Sequence, residues 1–173
     1  MIIPIDIKQE YKTFTVEEIF EALKKNGLEH LRGQWISAPD QKVVGACVLG
    51  QAAYNLGVPA NGDYEPKQGY GNLYEELVNF EVTESPWLNE EFYKGSSYWD
   101  SSIDAPFEGA EESNVADLII FWNDRREYKV GDNGMFIATG EWKLKTYDDV
   151  VNMAREIMEP FFSNEVKLPH YDY

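Results

Sequence analysis

Between residues 61 and 117 this chain carries fourteen Asp and Glu against only Lys67 and Lys94, a local charge of −12 out of −16 overall. The residues before that stretch net −1 and those after it −3. The same stretch holds ten aromatics: Tyr64, Tyr70, Tyr74, Phe80, Trp87, Phe92, Tyr93, Tyr98, Trp99 and Phe107. A disordered acidic tail is poor in aromatics. This composition therefore predicts an ordered surface that presents carboxylates. The flanks read as a near-neutral body, and the middle as an anionic face added to it. The expected organisation is one domain over residues 1–173, with residues 61–117 an acidic elaboration within it.

The flanks are patterned for helices and short hairpins. Thr15-Val16-Glu17-Glu18 is a capping-box pattern, and Val16, Ile19, Phe20 and Leu23 follow at helical spacing before Gly27. A helix is predicted over residues 16–26. Ala38-Pro39-Asp40 separates residues 34–37 from residues 41–44, which predicts a hairpin. Residues 46–56 are small and apolar with Gly57 as a stop, the pattern of a buried helix that approaches its neighbours closely. Residues 73–80 read as a short helix. Residues 81–112 show no sustained period and are broken by Pro86, Gly95, Pro106 and Gly109, as in a long functional loop. Ser113 or Asn114 caps an apolar helix over residues 115–125. Residues 130–134 are turn chemistry, and residues 135–138 and 142–144 are expected to pair across Thr139-Gly140-Glu141. Thr146 caps the last helix, with the stripe Val150, Val151, Ala154, Ile157 and Met158. The tail from Ser163 reads as polar and loose, with Leu168, Tyr171 and Tyr173 as docking points. The expected class is α+β, mainly helical, with about five helices and short β-hairpins.

Composition removes several function classes. Phosphate recognition needs Lys and Arg, so direct ligands of nucleic acid or anionic membranes are not expected. No apolar run reaches the roughly 18 residues of a membrane span. The first residues, MIIPIDIKQEY, are too short and too charged for a signal peptide, and a cytoplasmic setting is the simplest reading. Cys47 is the single cysteine, so neither an internal disulfide nor a CxxC site can form. Two histidines do not suffice for a His-based metal site, and no cofactor is implied.

Three pieces recur in one order: a capped early helix, then Ala46-Cys47-Val48-Leu49-Gly50-Gln51-Ala52, then Phe121-Trp122-Asn123-Asp124 followed by Thr146-Tyr147-Asp148-Asp149-Val150-Val151. This order resembles a family of small bacterial and phage proteins with a C-x-L-G-A-like helix, a W-N-D motif and a T-x-x-[DE]-V helix start. The resemblance spans about the first sixty and the last fifty-five residues. Gln51 stands where the family has a small residue, and the acidic stretch has no counterpart in the pattern. The resemblance implies a fold and a phage origin, and it carries no activity. With the acidic insertion, it suggests an anti-defence, anti-CRISPR-like member.

Individual residues invite sharper readings. Cys47 at a helix start is a candidate nucleophile, with His30 and Asp124 completing a triad. The simpler reading is a small buried residue in a tightly packed helix. Asp124 could act as a general base, but Asn123 and Asp124 at a helix end are more readily caps, or anchors for Arg125 and Arg126. Asp132-Asn133-Gly134 looks like part of a calcium loop, yet Gly140 stands where the loop needs Glu. The paired acids Glu75-Glu76, Glu90-Glu91 and Glu111-Glu112 do not face each other on a helix, which weakens a glycosidase reading.

The acidic stretch is therefore the preferred site, with partner-binding residues Asp63, Glu65, Glu75, Glu76, Glu81, Glu84, Trp87, Glu90, Glu91, Trp99, Asp100, Asp104, Glu108, Glu111 and Glu112. Carboxylates spaced like phosphates can occupy a basic channel, and Tyr and Trp are favoured interface anchors. The expectation is a non-enzymatic DNA mimic that occludes a basic site on a nucleic-acid-binding enzyme. In a phage setting the natural target is a host defence nuclease such as a CRISPR effector. The alternatives are a small enzyme using Cys47, His30 or Asp124, and an assembly protein with an acidic interface.

Overall fold

The computed structural model describes residues 10–58, 70–88, 113–134 and 136–170. Of the proposed partner-binding residues, Asp63, Glu65, Glu90, Glu91, Trp99, Asp100, Asp104, Glu108, Glu111 and Glu112 lie outside them, as do Tyr171 and Tyr173. Among the described residues five α-helices and short strands in small sheets give an α+β fold. No helix among the described residues is long and apolar enough to cross a membrane.

Strand β1 (Glu10–Thr15) runs straight into helix α1 (Val16–Glu21), and Thr15 serves both. Its Oγ1 accepts the Glu18 N–H at 3.1 Å, and its own N–H donates to Glu18 Oε2 at 2.8 Å. The helix is shorter than the predicted 16–26. Asn55 explains the early stop: its amide donates to the Ala22 and Lys24 carbonyls, each at 2.8 Å, and replaces the next helical turn.

Strands β2 (Glu29–His30), β3 (Ile36–Ser37) and β4 (Gly45–Ala46) form a small sheet in the order β2-β4-β3. The predicted hairpin exists, but its second arm begins after Val44. Val43 is instead buried in a small satellite core with Leu28 and Ala46. Helix α2 (Val48–Leu56) follows, two residues later than predicted, because Gly45 and Ala46 form the central strand. Gly57 closes it with φ +70°, a left-handed cap that glycine adopts without a Cβ penalty. Helix α3 (Tyr70–Leu77) starts three residues before the predicted segment and ends three before its end.

Strand β5 (Glu81–Val82) pairs antiparallel with β6 (Ser113–Asn114). Val82 and Ser113 thus lie side by side. Asn114 then caps α4 (Val115–Asp124), its Oδ1 accepting the Asp117 N–H at 2.9 Å. Next come β7 (Arg126–Val130) and β8 (Phe136–Trp142), an antiparallel hairpin. This corrects the predicted pairing across Thr139-Gly140-Glu141. The turn is the Gly131–Gly134 segment, where Gly134 takes φ +78° and donates to the Gly131 carbonyl. Asp132-Asn133-Gly134 is therefore hairpin chemistry rather than a calcium loop.

Helix α5 (Tyr147–Met158) opens with a full capping box between Thr146 and Asp149. Over residues 165–170 the tail is not loose. It forms β9 (Glu165–His170), paired with β1 from Glu10↔His170 to Thr15↔Glu165. Val166 and Leu168 are buried on its inner face. The principal core gathers α1, α2, α3, α4 and α5, with Trp122, Leu49, Leu118, Ile119, Met153 and Ile157 fully buried.

Candidate functional site

The polar chemistry inside the body converges on the end of α4. Asn123 is 1% exposed, and a buried amide requires partners for both ends. Its Nδ2 donates to the Leu31 carbonyl at 3.2 Å and to Asp124 Oδ1 at 2.7 Å. Its Oδ1 accepts the Val48 N–H at 3.4 Å and meets His30 Nε2 at 2.8 Å. The carbonyl on one side and the backbone N–H on the other fix the amide orientation. Because Oδ1 faces the imidazole, His30 carries its proton on Nε2. Burial lowers the His30 pKa and outweighs the hydrogen bond to Asn123, with nearby Arg32 and Lys25 acting in the same direction as burial. The ring lies edge-on to Tyr147 at 5.0 Å.

Two further residues stitch the same corner. Asp124 Oδ1 also accepts the Gly33 N–H at 2.7 Å. Arg32 donates to the Asn123 carbonyl at 2.9 Å and the Leu144 carbonyl at 2.7 Å, with its guanidinium 4.8 Å from the Trp142 ring centre. Asn123, Asp124 and Arg32 together hold the loop after β2 against the ends of α4 and β8.

Cys47 adjoins this corner as the N-cap of α2, its Sγ accepting the Gly50 N–H at 3.4 Å. A helix N-terminus favours a thiolate. Here desolvation wins: the thiol is fully enclosed and its pKa is pushed up to about 12. Among the described residues no hydrogen bond joins Sγ to His30. Tyr147, whose hydroxyl donates to the Leu23 carbonyl, walls the same space. The structure thus brings Cys47, His30 and Asp124 to one corner, but the group bonded to the imidazole is Asn123. That contact spans 93 residues, and no local sequence signal announces it. We expect native Cys47 to resist a thiol reagent such as dithionitrobenzoate at pH 8 and to react on unfolding in urea. Stoichiometric labelling of the folded protein within minutes would overturn this reading.

Of the acidic residues that are described, Glu75, Glu81 and Glu84 are exposed and Glu76 is half-buried. None of the four joins an ion pair among the described residues. Asp117 is committed internally, accepting from the Tyr74 hydroxyl and the Asn114 amide, each at 2.8 Å. Trp87 is turned inward. Its ring meets Trp122 edge-on at 5.2 Å, its indole N–H donates to Glu156, and its carbonyl accepts the Trp122 indole N–H at 3.1 Å. It clamps the end of the described segment 70–88 to the core.

Among the described residues no group of three or more His, Cys, Asp or Glu is placed to hold a metal ion. Comparison with family models, with curated proteins and with solved structures finds no match to this chain.

Proposed function

We propose that this is a non-enzymatic binding protein whose acidic elaboration engages a basic, nucleic-acid-handling protein and occludes its nucleic-acid site. The observation that carries this reading is the β5–β6 ladder. It sets Val82 against Ser113, the residues that bound a sequence segment of eight acids against Lys94, and Glu75, Glu81 and Glu84 are exposed. A segment with so many more carboxylates than cations in its sequence creates a field that steers a basic partner to it. The interior offers less to an enzyme. Its one thiol is buried and held protonated, and Asp124 is occupied by Gly33 and Asn123.

The test is capture from cell lysate by the immobilised protein, with mass spectrometry of the eluate. Bait and lysate meet at roughly 0.1 M salt and are eluted at roughly 1 M, where the Debye length falls from about 10 Å to about 3 Å. The expected result is a basic nucleic-acid-binding protein released by salt and displaced by an oligonucleotide. The variant E75K/E76K/E81K/E84K should lose it. Equal capture by that variant, or a partner that oligonucleotides do not displace, would remove the basis for the proposal.

A further inference from the structure

Three Asn-Gly steps occur in the chain: Asn26-Gly27, Asn61-Gly62 and Asn133-Gly134. An Asn-Gly step is prone to intramolecular loss of ammonia. Glycine has no Cβ to hinder attack by its own backbone nitrogen on the Asn amide carbon. The middle step lies outside the described residues. The structure gives the other two opposite settings.

Gly134 is held. It closes the β7–β8 turn, and its N–H donates to the Gly131 carbonyl at 2.9 Å. That nitrogen must give up this bond before it can attack. Asn26 and Gly27 lie in neither helix nor strand, and both are exposed. Nothing lies within 4 Å of the place a Gly27 Cβ would take. Asn26 lines an open recess of about 400 Å³ with Glu21, Lys24, Lys25 and Asn55, so water reaches its amide. The charges of Lys24 and Lys25 favour the ionised form of the attacking nitrogen.

We infer that Asn26 is a deamidation site of the folded protein. The Gly27 nitrogen bonds to Asn26 Cγ, the Cγ–Nδ2 bond breaks, and ammonia leaves with the Gly27 proton. Water then opens the succinimide at one of its two carbonyls. Cleavage of the new N–Cγ bond leaves aspartate. Cleavage of the original peptide bond leaves isoaspartate, with the chain running through the side chain.

The consequence follows from what the Asn26 amide holds. Its Nδ2 donates to Asn55 Oδ1 at 3.1 Å. Asn55 commits its own N–H groups to the Ala22 and Lys24 carbonyls, so none is left for a carboxylate. An acid at position 26 therefore faces an acceptor, and this tie between the segment after α1 and helix α2 is lost. The isoaspartate also lengthens the connection to β2. This modification is independent of the partner proposed for the acidic face.

Warm incubation of the folded protein at pH 8, with peptic digestion in acid and mass spectrometry, tests it. Asn26 should lose its amide about fivefold faster than Asn133, the factor set by one hydrogen bond. In urea, where that bond is gone, the two rates should converge. Asn26→Gln needs a larger ring to react and should stay unmodified at that position. Asn26→Asp should unfold at lower urea than wild type, and aged wild type should move toward it. An Asn26 amide that survives in the folded protein while it is lost in urea overturns the inference. So does an Asn133 that keeps pace with Asn26 in the folded protein. Equal urea midpoints for Asn26→Asp and wild type would overturn the structural consequence.

Discussion

Gly50→Ala is expected to destabilise the protein by about 3 kcal/mol or more, although alanine is the better helix former by about 1 kcal/mol. Gly50 lies inside α2, and a Cβ there would meet the Trp35 carbonyl oxygen at 2.3 Å, with Ala46 and Ile36 side-chain atoms at 3.1 Å. The first of these is backbone, so it cannot swing away as the end of a long side chain can. The same carbonyl accepts the Cys47 N–H at 2.9 Å. Moving it breaks the hydrogen bond that delivers the chain into α2. The added methyl therefore costs both overlap and a backbone partner. Urea unfolding of the two proteins gives the difference. Gly140→Ala is the control, because nothing lies within 4 Å of a Cβ there, and it should leave stability nearly unchanged. Equal midpoints for Gly50→Ala and wild type would mean that α2 does not approach the Trp35 backbone as described.

Asn123→Leu carries the second large effect. Leucine fills a similar volume but leaves the His30 Nε2–H, the Val48 N–H and the Leu31 carbonyl without the partner each now has. A buried polar group left unpaired costs about 1–3 kcal/mol, so a loss of about 3–5 kcal/mol is expected in urea titration. The mechanism can be separated from plain loss of packing by a double-mutant cycle. Once His30 is also apolar, as in His30→Phe, one of the stranded donors disappears. The pair of changes should then cost less than the sum of the single ones, by about 1 kcal/mol or more. Strict additivity would show that the 2.8 Å contact between the two side chains contributes nothing.

These two sites differ in how far the sequence reveals them. The small-residue run at residues 46–56 already predicts a helix in close contact with its neighbours, and Gly50 meets that expectation. It does not say that the neighbour is the Trp35 carbonyl. Asn123 and Asp124 are legible as cap-type residues at a helix end, because Asn and Asp side chains reach backbone groups. That the backbone belongs to residues 31, 33 and 48 is not legible. The tail shows a different kind of miss. Val166 and Leu168 alternate with Glu165 and Lys167, a period-two signal for a half-buried strand, and β1 carries Tyr11, Thr13, Phe14 and Thr15, residues that favour strands. Both segments were readable one at a time, but their pairing joins positions about as far apart as the chain allows. The β7–β8 hairpin was misplaced because two turn-like glycine segments compete there. Gly134 takes the positive φ that closes the hairpin, while Gly140 lies within β8.

What the sequence determines by itself is therefore the chemistry that acts within about four residues. Thr15 with Glu18, Asn114 with Asp117 and Thr146 with Asp149 each set a helix start, since cap and capped N–H are neighbours in the chain. The distribution of charge is likewise a property of the chain alone. The tertiary structure decided which of the marked residues meet. It enclosed Cys47 until desolvation outweighed the helix N-terminus, gave His30 to Asn123 rather than to a nucleophile, and brought Val82 back to Ser113. Those outcomes depend on burying one core from the five helices of the described residues. The free energy of that burial belongs to all of them together, and no local segment of the sequence carries it.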